Sequence, residues 1–179
     1  MEQLLEAGAD PDAADADGRT ALTHAAYGGH AEVVRLLLDR GADVDRQDAA
    51  RANPLLSTGE TGYLEVLNEI LRSDPDLSRT NRFGGTALIP AADRGHVAIV
   101  RRLLETEVDV DHVNDLGWTA LLEAVILGDG GPVHTEIVRL LLDAGADRTI
   151  ADREGVTPLE HARAAGFAEI VSLLEATST

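Results

Sequence analysis

A self-repeat with a period of 33 residues constrains this chain more than any other feature. Thr20-Ala21-Leu22, Asn53-Pro54-Leu55, Thr86-Ala87-Leu88 and Thr119-Ala120-Leu121 stand 33 residues apart, and Thr157-Pro158-Leu159 follows after 38. Five residues have therefore been inserted once, in the fourth unit. A fixed period of this size marks one supersecondary unit stacked on copies of itself, because a single unit cannot bury its own apolar face. Function then belongs to the surface of the stack.

The first complete unit runs from Asp15 to Asp45. Asp17-Gly18 is a turn signal, since glycine accepts a positive φ without a Cβ clash. Thr20 is placed to N-cap the following helix, its hydroxyl accepting an orphan backbone N–H. Leu22, Ala25 and Ala26 recur at helical spacing, and the small alanines let the next helix approach closely. Gly28-Gly29 ends that helix. Glu32 to Asp39 reads as a second helix with Val33, Val34, Leu36 and Leu37 as its apolar stripe, and Gly41 stands where a C-terminal cap wants a left-handed residue.

These residues resemble the ankyrin repeat. The elements D-x-x-G-x-T-A/P-L, Ala-Ala, Gly-His, V-V-x-L-L-L and G-A-D-V/P stand in order and recur along nearly the whole chain. The resemblance implies an all-α solenoid, each unit a β-turn finger and two antiparallel helices, stacked into a curved, L-shaped array. The expected organisation is one domain over 1–179: a half-repeat at 1–14, then repeats at 15–47, 48–80, 81–113, 114–150 and 151–179. The family implies binding of a protein on the concave face of fingers and first helices, a monomeric state, no cofactor and no catalysis. The third and fourth units together look like a pair recurring in small bacterial ankyrin-repeat proteins.

Several positions depart from the pattern. Met1 opens inside the second half of a unit, as a half-repeat cap or as the cut edge of something longer. In the second repeat Arg51 replaces the turn glycine, Asn53 replaces threonine and Ser57-Thr58-Gly59 replaces the Ala-Ala region. Asp74 and Glu107 replace the cap glycines Gly41 and Gly145, so those helices are expected to end differently. Pro90 falls four residues after the expected N-cap Thr86, and is expected to cost little so near the helix start. In the fourth unit Asp129 to Val133 read as a loop between the helices, because Gly128, Gly130, Gly131 and Pro132 break regular structure. The last helix carries Ile170, Val171, Leu173 and Leu174 and then turns polar at Thr177-Ser178-Thr179, which suits a solvated end.

The net charge of −17 opposes nucleic acid, whose affinity comes largely from basic residues on phosphates. It favours a protein partner with a basic surface, or serves solubility alone. No cysteine is present, which excludes disulfides and thiolate metal sites. No segment approaches the ~20 apolar residues of a membrane span, and no signal sequence opens the chain. A cytoplasmic location is expected, unless a leader has been lost ahead of Met1.

Large apolar residues at finger tips and first-helix ends are concentrated in two of the five repeats. Phe83, Leu116, Trp118, Ile126 and Leu127 all lie in the third and fourth. Exposed apolar residues on neighbouring fingers mark a contact patch, and Trp and Arg are preferred hot-spot residues. Arg82, Asp93, Arg94, Asp115 and Glu123 would form its charged rim, with the inserted loop walling it at the helix-end side. The competing reading lays Phe83 and Trp118 flat on adjacent fingers as staples of the stack, with Ile126 and Leu127 packed beneath the loop. His30, His96 and His134 recur with the period and read as structural, as do His24 and His161. No histidine pair has zinc-site spacing, and no phosphate loop or nucleophile motif is present. The alternative function is a small-molecule or hydrolytic pocket between the loop, Trp118 and Glu123, with Glu123 as acid or base.

Overall fold

Each repeat opens on a turn held by one side chain. The Oδ1 of Asp15 accepts the N–H groups of Asp17 and Arg19, at 3.0 and 2.9 Å. Asp48, Asn81, Asn114 and Asp152 do the same for the residues two and four positions on. Only a short side chain with an acceptor oxygen reaches its own backbone in this way, which is why Asp or Asn stands there in every repeat. Neighbouring fingers also touch: the N–H of Ala49 donates to Asp17 O and that of Asp115 to Phe83 O, both at 2.9 Å.

The computed structural model describes residues 2–176. Met1 and the polar ending expected at Thr177-Ser178-Thr179 lie outside the described residues. A short helix α1 (Glu2–Glu6) is followed by five helical pairs: α2 (Ala21–Tyr27) with α3 (Ala31–Asp39), α4 (Pro54–Thr61) with α5 (Leu64–Leu71), α6 (Leu88–Asp93) with α7 (Val97–Leu104), α8 (Ala120–Ile126) with α9 (Pro132–Asp143), and α10 (Pro158–Ala165) with α11 (Ala168–Glu175). The first helices α2, α4, α6, α8 and α10 pack successively in one layer, and α3, α5, α7, α9 and α11 form the other. One continuous apolar cluster runs between the layers from Leu22 and Leu37 to Ile170 and Leu174. No unit closes a core by itself. Among the described residues extended backbone pairs only at a single bridge, Ala14 to Thr20, and no helix is long and apolar enough to cross a membrane.

Thr20 caps α2 through its side chain, as expected, and Asn53, Thr119 and Thr157 do the same for α4, α8 and α10. Thr58 and Gly59 take the buried Ala-Ala place; the hydroxyls of Thr58 and of Ser57 before it bond back to Leu55 O and Pro54 O of their own helix. The recurrent histidines are structural joints. His96 Nε2 meets Glu60 O at 3.3 Å and His134 Nε2 meets Asp93 O at 3.0 Å, each tying the start of a second helix to the previous repeat.

Three sequence expectations are corrected. Thr86 is not a side-chain cap: its Oγ1 is buried without a partner, and α6 begins only at Leu88. The fourth position after a cap is the first that must donate to the cap carbonyl, and Pro90 has no N–H to give. The N–H of Ile89 takes Thr86 O instead, in a tighter turn. The second correction concerns the helix ends. Asp74 accepts the left-handed conformation at φ 50°, as Arg51 does at the turn with φ 59°, whereas Glu107 stays out of that region. There the Thr106 hydroxyl donates to Leu103 O and closes the helix locally. The third is the insertion. Pro132 and Val133 are not loop but the first residues of α9, since proline's missing N–H is harmless and its φ suitable at a helix start.

Candidate functional site

The residue nine places after each finger anchor decides how far the finger closes onto its helix. In the first repeat Asp15 Oδ2 meets His24 Nε2 at 2.8 Å, and in the last Asp152 Oδ2 meets His161 Nε2 at 2.7 Å. The three middle repeats carry Ser57, Pro90 and Glu123 at that place. Ser57 bonds within its own helix, and Asp48 turns to Arg19 of the previous repeat at 3.1 Å. Pro90 bears no polar group. Asn114 Nδ2 donates to Glu123 Oε1 at 2.8 Å. An imidazole thus links finger to helix at both ends of the stack and is absent from its middle.

A pocket of about 270 Å³ lies in that middle stretch. Phe83 and Leu116 come from the fingers of the third and fourth repeats, and Ile89, Pro90, Asp93 and Arg94 from α6 and its end. Glu60 of α4 and Glu123 of α8 complete it with Asn81, Gly85 and Asn114. Phe83 is 56% exposed and Leu116 52%, whereas Glu123 is only 7% exposed. Burial, reinforced by the nearby Asp93 carboxylate, pushes the Glu123 carboxyl up to about 7 against the pull of the Asn114 hydrogen bond.

A second depression of about 170 Å³ continues the groove toward the first repeat. It shares Glu60, Asn81 and Phe83 with the first pocket and adds Arg19, Tyr27, Leu56 and Arg82. The Tyr27 hydroxyl donates to Glu60 Oε2 at 3.2 Å. Burial and the Glu60 charge push Tyr27 up to about 12. The Arg19 guanidinium lies 5.3 Å from the Tyr27 ring centroid, and Arg82 lies 4.8 Å from that of Phe83.

Of the residues singled out from sequence, Phe83, Asp93, Arg94, Leu116 and Glu123 meet in the first pocket. Arg82 lies in the adjoining depression. Asp115 is exposed on its finger, where its carbonyl accepts the Arg153 guanidinium. Trp118 is half-buried, its backbone N–H donating to Asn114 Oδ1 at 3.0 Å, and lines neither pocket. Ile126 is half-buried and Leu127 is 49% exposed at the end of α8, outside both. The exposure of Phe83 disposes of its role as a covered staple.

The inserted loop does not wall the groove. No residue from 128 to 133 lines the pocket, and a Cβ at Gly130 would lie 2.2 Å from Phe167, so the loop leans on the last repeat instead. The proposed pocket between loop, Trp118 and Glu123 is therefore not the one that Glu123 lines. That pocket holds no hydroxyl, thiol or imidazole beside the carboxyl. Sequence reasoning overlooked Asn81, Ile89, Pro90 and Asn114 as lining. The loss of histidine at 57, 90 and 123 was the signal that could have found them.

A stack of fingered helical hairpins around one shared core defines a solenoid of short repeats. The family described as ankyrin repeats (3 copies) matches residues 1–77 and 55–152. An ankyrin repeat domain from Acinetobacter baumannii AYE superposes with a TM-score of 0.94 at 48% identity, covering 97% of this chain and 88% of that one. EF0377, an ankyrin repeat protein, gives 0.94 at 40% identity over 99% of this chain and 90% of its own. The ankyrin repeat protein YahD of Escherichia coli K12 is 52% identical over 52 residues, which is 29% of this chain and 26% of that protein. The match thus spans only about a quarter of YahD's length. The chain belongs to the ankyrin repeat family, whose members generally mediate protein–protein interaction.

Proposed function

We propose that this chain is a non-catalytic, monomeric binding module, acting in the cytoplasm, that takes a protein partner on the concave face of its third and fourth repeats. The observation that carries the proposal is the pairing of exposed Phe83 and Leu116 on neighbouring fingers, both lining one pocket. The fingers are already held by side-chain-to-backbone and finger-to-finger hydrogen bonds, so binding orders little that is not ordered before. Arg82, Asp93, Arg94 and Asp115 form a charged rim, and Trp118, Ile126 and Leu127 extend the face along the fourth repeat.

The test is capture of partners from lysate by the wild-type chain and by a Phe83→Ala/Leu116→Ala variant whose fold is checked by circular dichroism. The outward-facing Val133→Ala serves as the control. The double variant is expected to lose its partner by roughly tenfold or more in affinity, since truncating a hot-spot anchor costs about 2 kcal/mol. A partner held equally by the folded double variant moves the site elsewhere on the stack.

A further inference from the structure

We infer that the pocket between Phe83, Leu116 and Glu123 is a socket for one arginine side chain of the partner, an inference that rests on the concave-face reading above. The walls carry three carboxyl groups, Glu60, Asp93 and Glu123, against the single guanidinium of Arg94. The three carboxyls are unequally engaged. Glu60 accepts from Tyr27. Among the described residues Asp93 gives only its backbone carbonyl to a partner, His134, and leaves its carboxylate free. Glu123 is more than nine-tenths buried, yet only Asn114 bonds its carboxyl, through Oε1. No described residue bonds its Oε2, and that oxygen is not among the sealed, unpartnered polar atoms, so it stays open to the pocket. A cation entering beside Phe83 and Leu116 therefore has a carboxyl oxygen to meet.

The apolar part of the pocket selects the kind of cation. Phe83, Leu116, Ile89 and Pro90 suit an alkyl stem and a flat, weakly hydrated head, and arginine has both. The Phe83 ring already carries the Arg82 guanidinium at 4.8 Å, so this ring accepts such a group in its own setting. The planar fork of arginine also reaches two carboxylates at once, as the paired Asp93 and Glu123 require. The size is that of a side chain: about 270 Å³ falls at or below the range of pockets that hold whole small molecules. A metal ion is not the occupant, since no group of three ligating side chains converges among the described residues. The acidic balance of the chain, −17, draws a basic segment toward the face before it docks.

The socket carries its own pH signature. Arginine stays charged throughout, so its affinity follows the ionisation of the carboxyls around it. Asp93 and Arg94 on α6, Glu60 on α4 and Asn114 on the finger face Glu123. His96 and His134 hold the carbonyls of Glu60 and Asp93, and His161 sits on the neighbouring α10, paired with Asp152. Removing the Glu123 charge by substitution separates its contribution from those of the histidines.

The experiment titrates the full, nitrogen-15-labelled chain with N-acetyl-arginine methylamide, and with its uncharged counterpart N-acetyl-norleucine methylamide, at pH 8 and pH 5.5. We expect saturable shifts of the Phe83, Gly85 and Leu116 amides, and arginine preferred over norleucine by roughly tenfold at pH 8. Glu123→Gln keeps the Asn114 hydrogen bond and is expected to remove most of that preference and to flatten its pH dependence. Asp93→Asn, at the end of α6, is expected to weaken the arginine probe severalfold and guards against a misfolded Glu123 variant. Equal binding of the two probes, no saturable shift up to on the order of 50 mM, or an arginine preference untouched by both variants overturns the socket. Partner capture that still depends on Phe83 and Leu116 while arginine shows no preference overturns the socket alone. Arginine preference in a chain whose partner ignores those residues overturns the concave-face reading instead.

Discussion

Glu123 stands where the first and last repeats carry a histidine, and burial beside Asp93 makes its carboxyl sensitive to pH near neutrality. Its carboxyl titrates near 7 in the folded chain, above the ordinary 4.5 of the unfolded one. Below pH 4.5 both states hold the proton and the position is neutral to stability. Between 4.5 and 7 only the unfolded state releases it, so stability falls as pH rises, and above 7 the deficit is constant. Glu123→Gln has no proton to lose. Its midpoint in urea is expected to match wild type near pH 4 and to exceed it at pH 8, by on the order of 2–3 kcal/mol in unfolding free energy. Equal midpoints at both pH values would show that the carboxyl is ordinary. A second single-residue prediction concerns Asp74, held at φ 50° where Gly41 and Gly145 sit at 84° and 91°. Asp74→Gly is expected to stabilise the chain by about 1 kcal/mol, read from denaturant melts, because glycine carries no left-handed penalty.

At the scale of the helix, the contrast between α4 and α6 shows what a sequence reveals and what it conceals. The caps of α2, α4, α8 and α10 were legible because one oxygen serves one N–H a fixed distance along the chain. The failure at Thr86 came from Pro90, which acts on the cap carbonyl rather than on the cap hydroxyl. The insertion misled for a related reason: Gly131-Pro132 looks like a break and is a helix start. The small alanines announced close approach between helices, but the tightest contact was visible only in three dimensions. A Cβ on Gly59 of α4 would lie 2.2 Å from Ala87 O and 3.0 Å from Pro90 Cγ, where the first and third repeats tolerate Ala26 and Ala92. Gly59→Ala should therefore lose about 1–3 kcal/mol despite alanine's better helix propensity. A gain in thermal stability would mean that α6 moves aside freely, and that the pocket it lines is soft.

Across the whole molecule, the repeat period disclosed the architecture but only half of the candidate site. Phe83 and Leu116 stood out as large apolar residues on polar fingers. Asn81 and Asn114 did not, because lining a groove depends on which neighbours are missing, here the histidines at 57, 90 and 123. The net charge of −17 acts at this scale too. Among the described residues, five of the twelve ion pairs join residues three apart within one segment, such as Arg35–Glu32, Arg72–Glu69 and Arg139–Glu136. Few cross between repeats, Arg19–Asp48 and Arg101–Glu136 being two. Exposed pairs of the first kind contribute at most a few tenths of a kcal/mol, and they leave the surplus of carboxylates to repel along the stack. Folding brings those carboxylates closer than they stand in the open chain, so the repulsion opposes folding and salt relieves it. Raising NaCl from 20 to 300 mM shortens the screening length from about 20 Å to about 6 Å, less than the spacing of adjacent repeats. The melting temperature at pH 8 is expected to rise by about 2–4 °C, equivalent to roughly 1 kcal/mol for a chain of this size. A fall instead would mean that the few pairs between repeats outweigh the surplus, and would place the stability of the stack in Arg19 and Arg101 rather than in its apolar core.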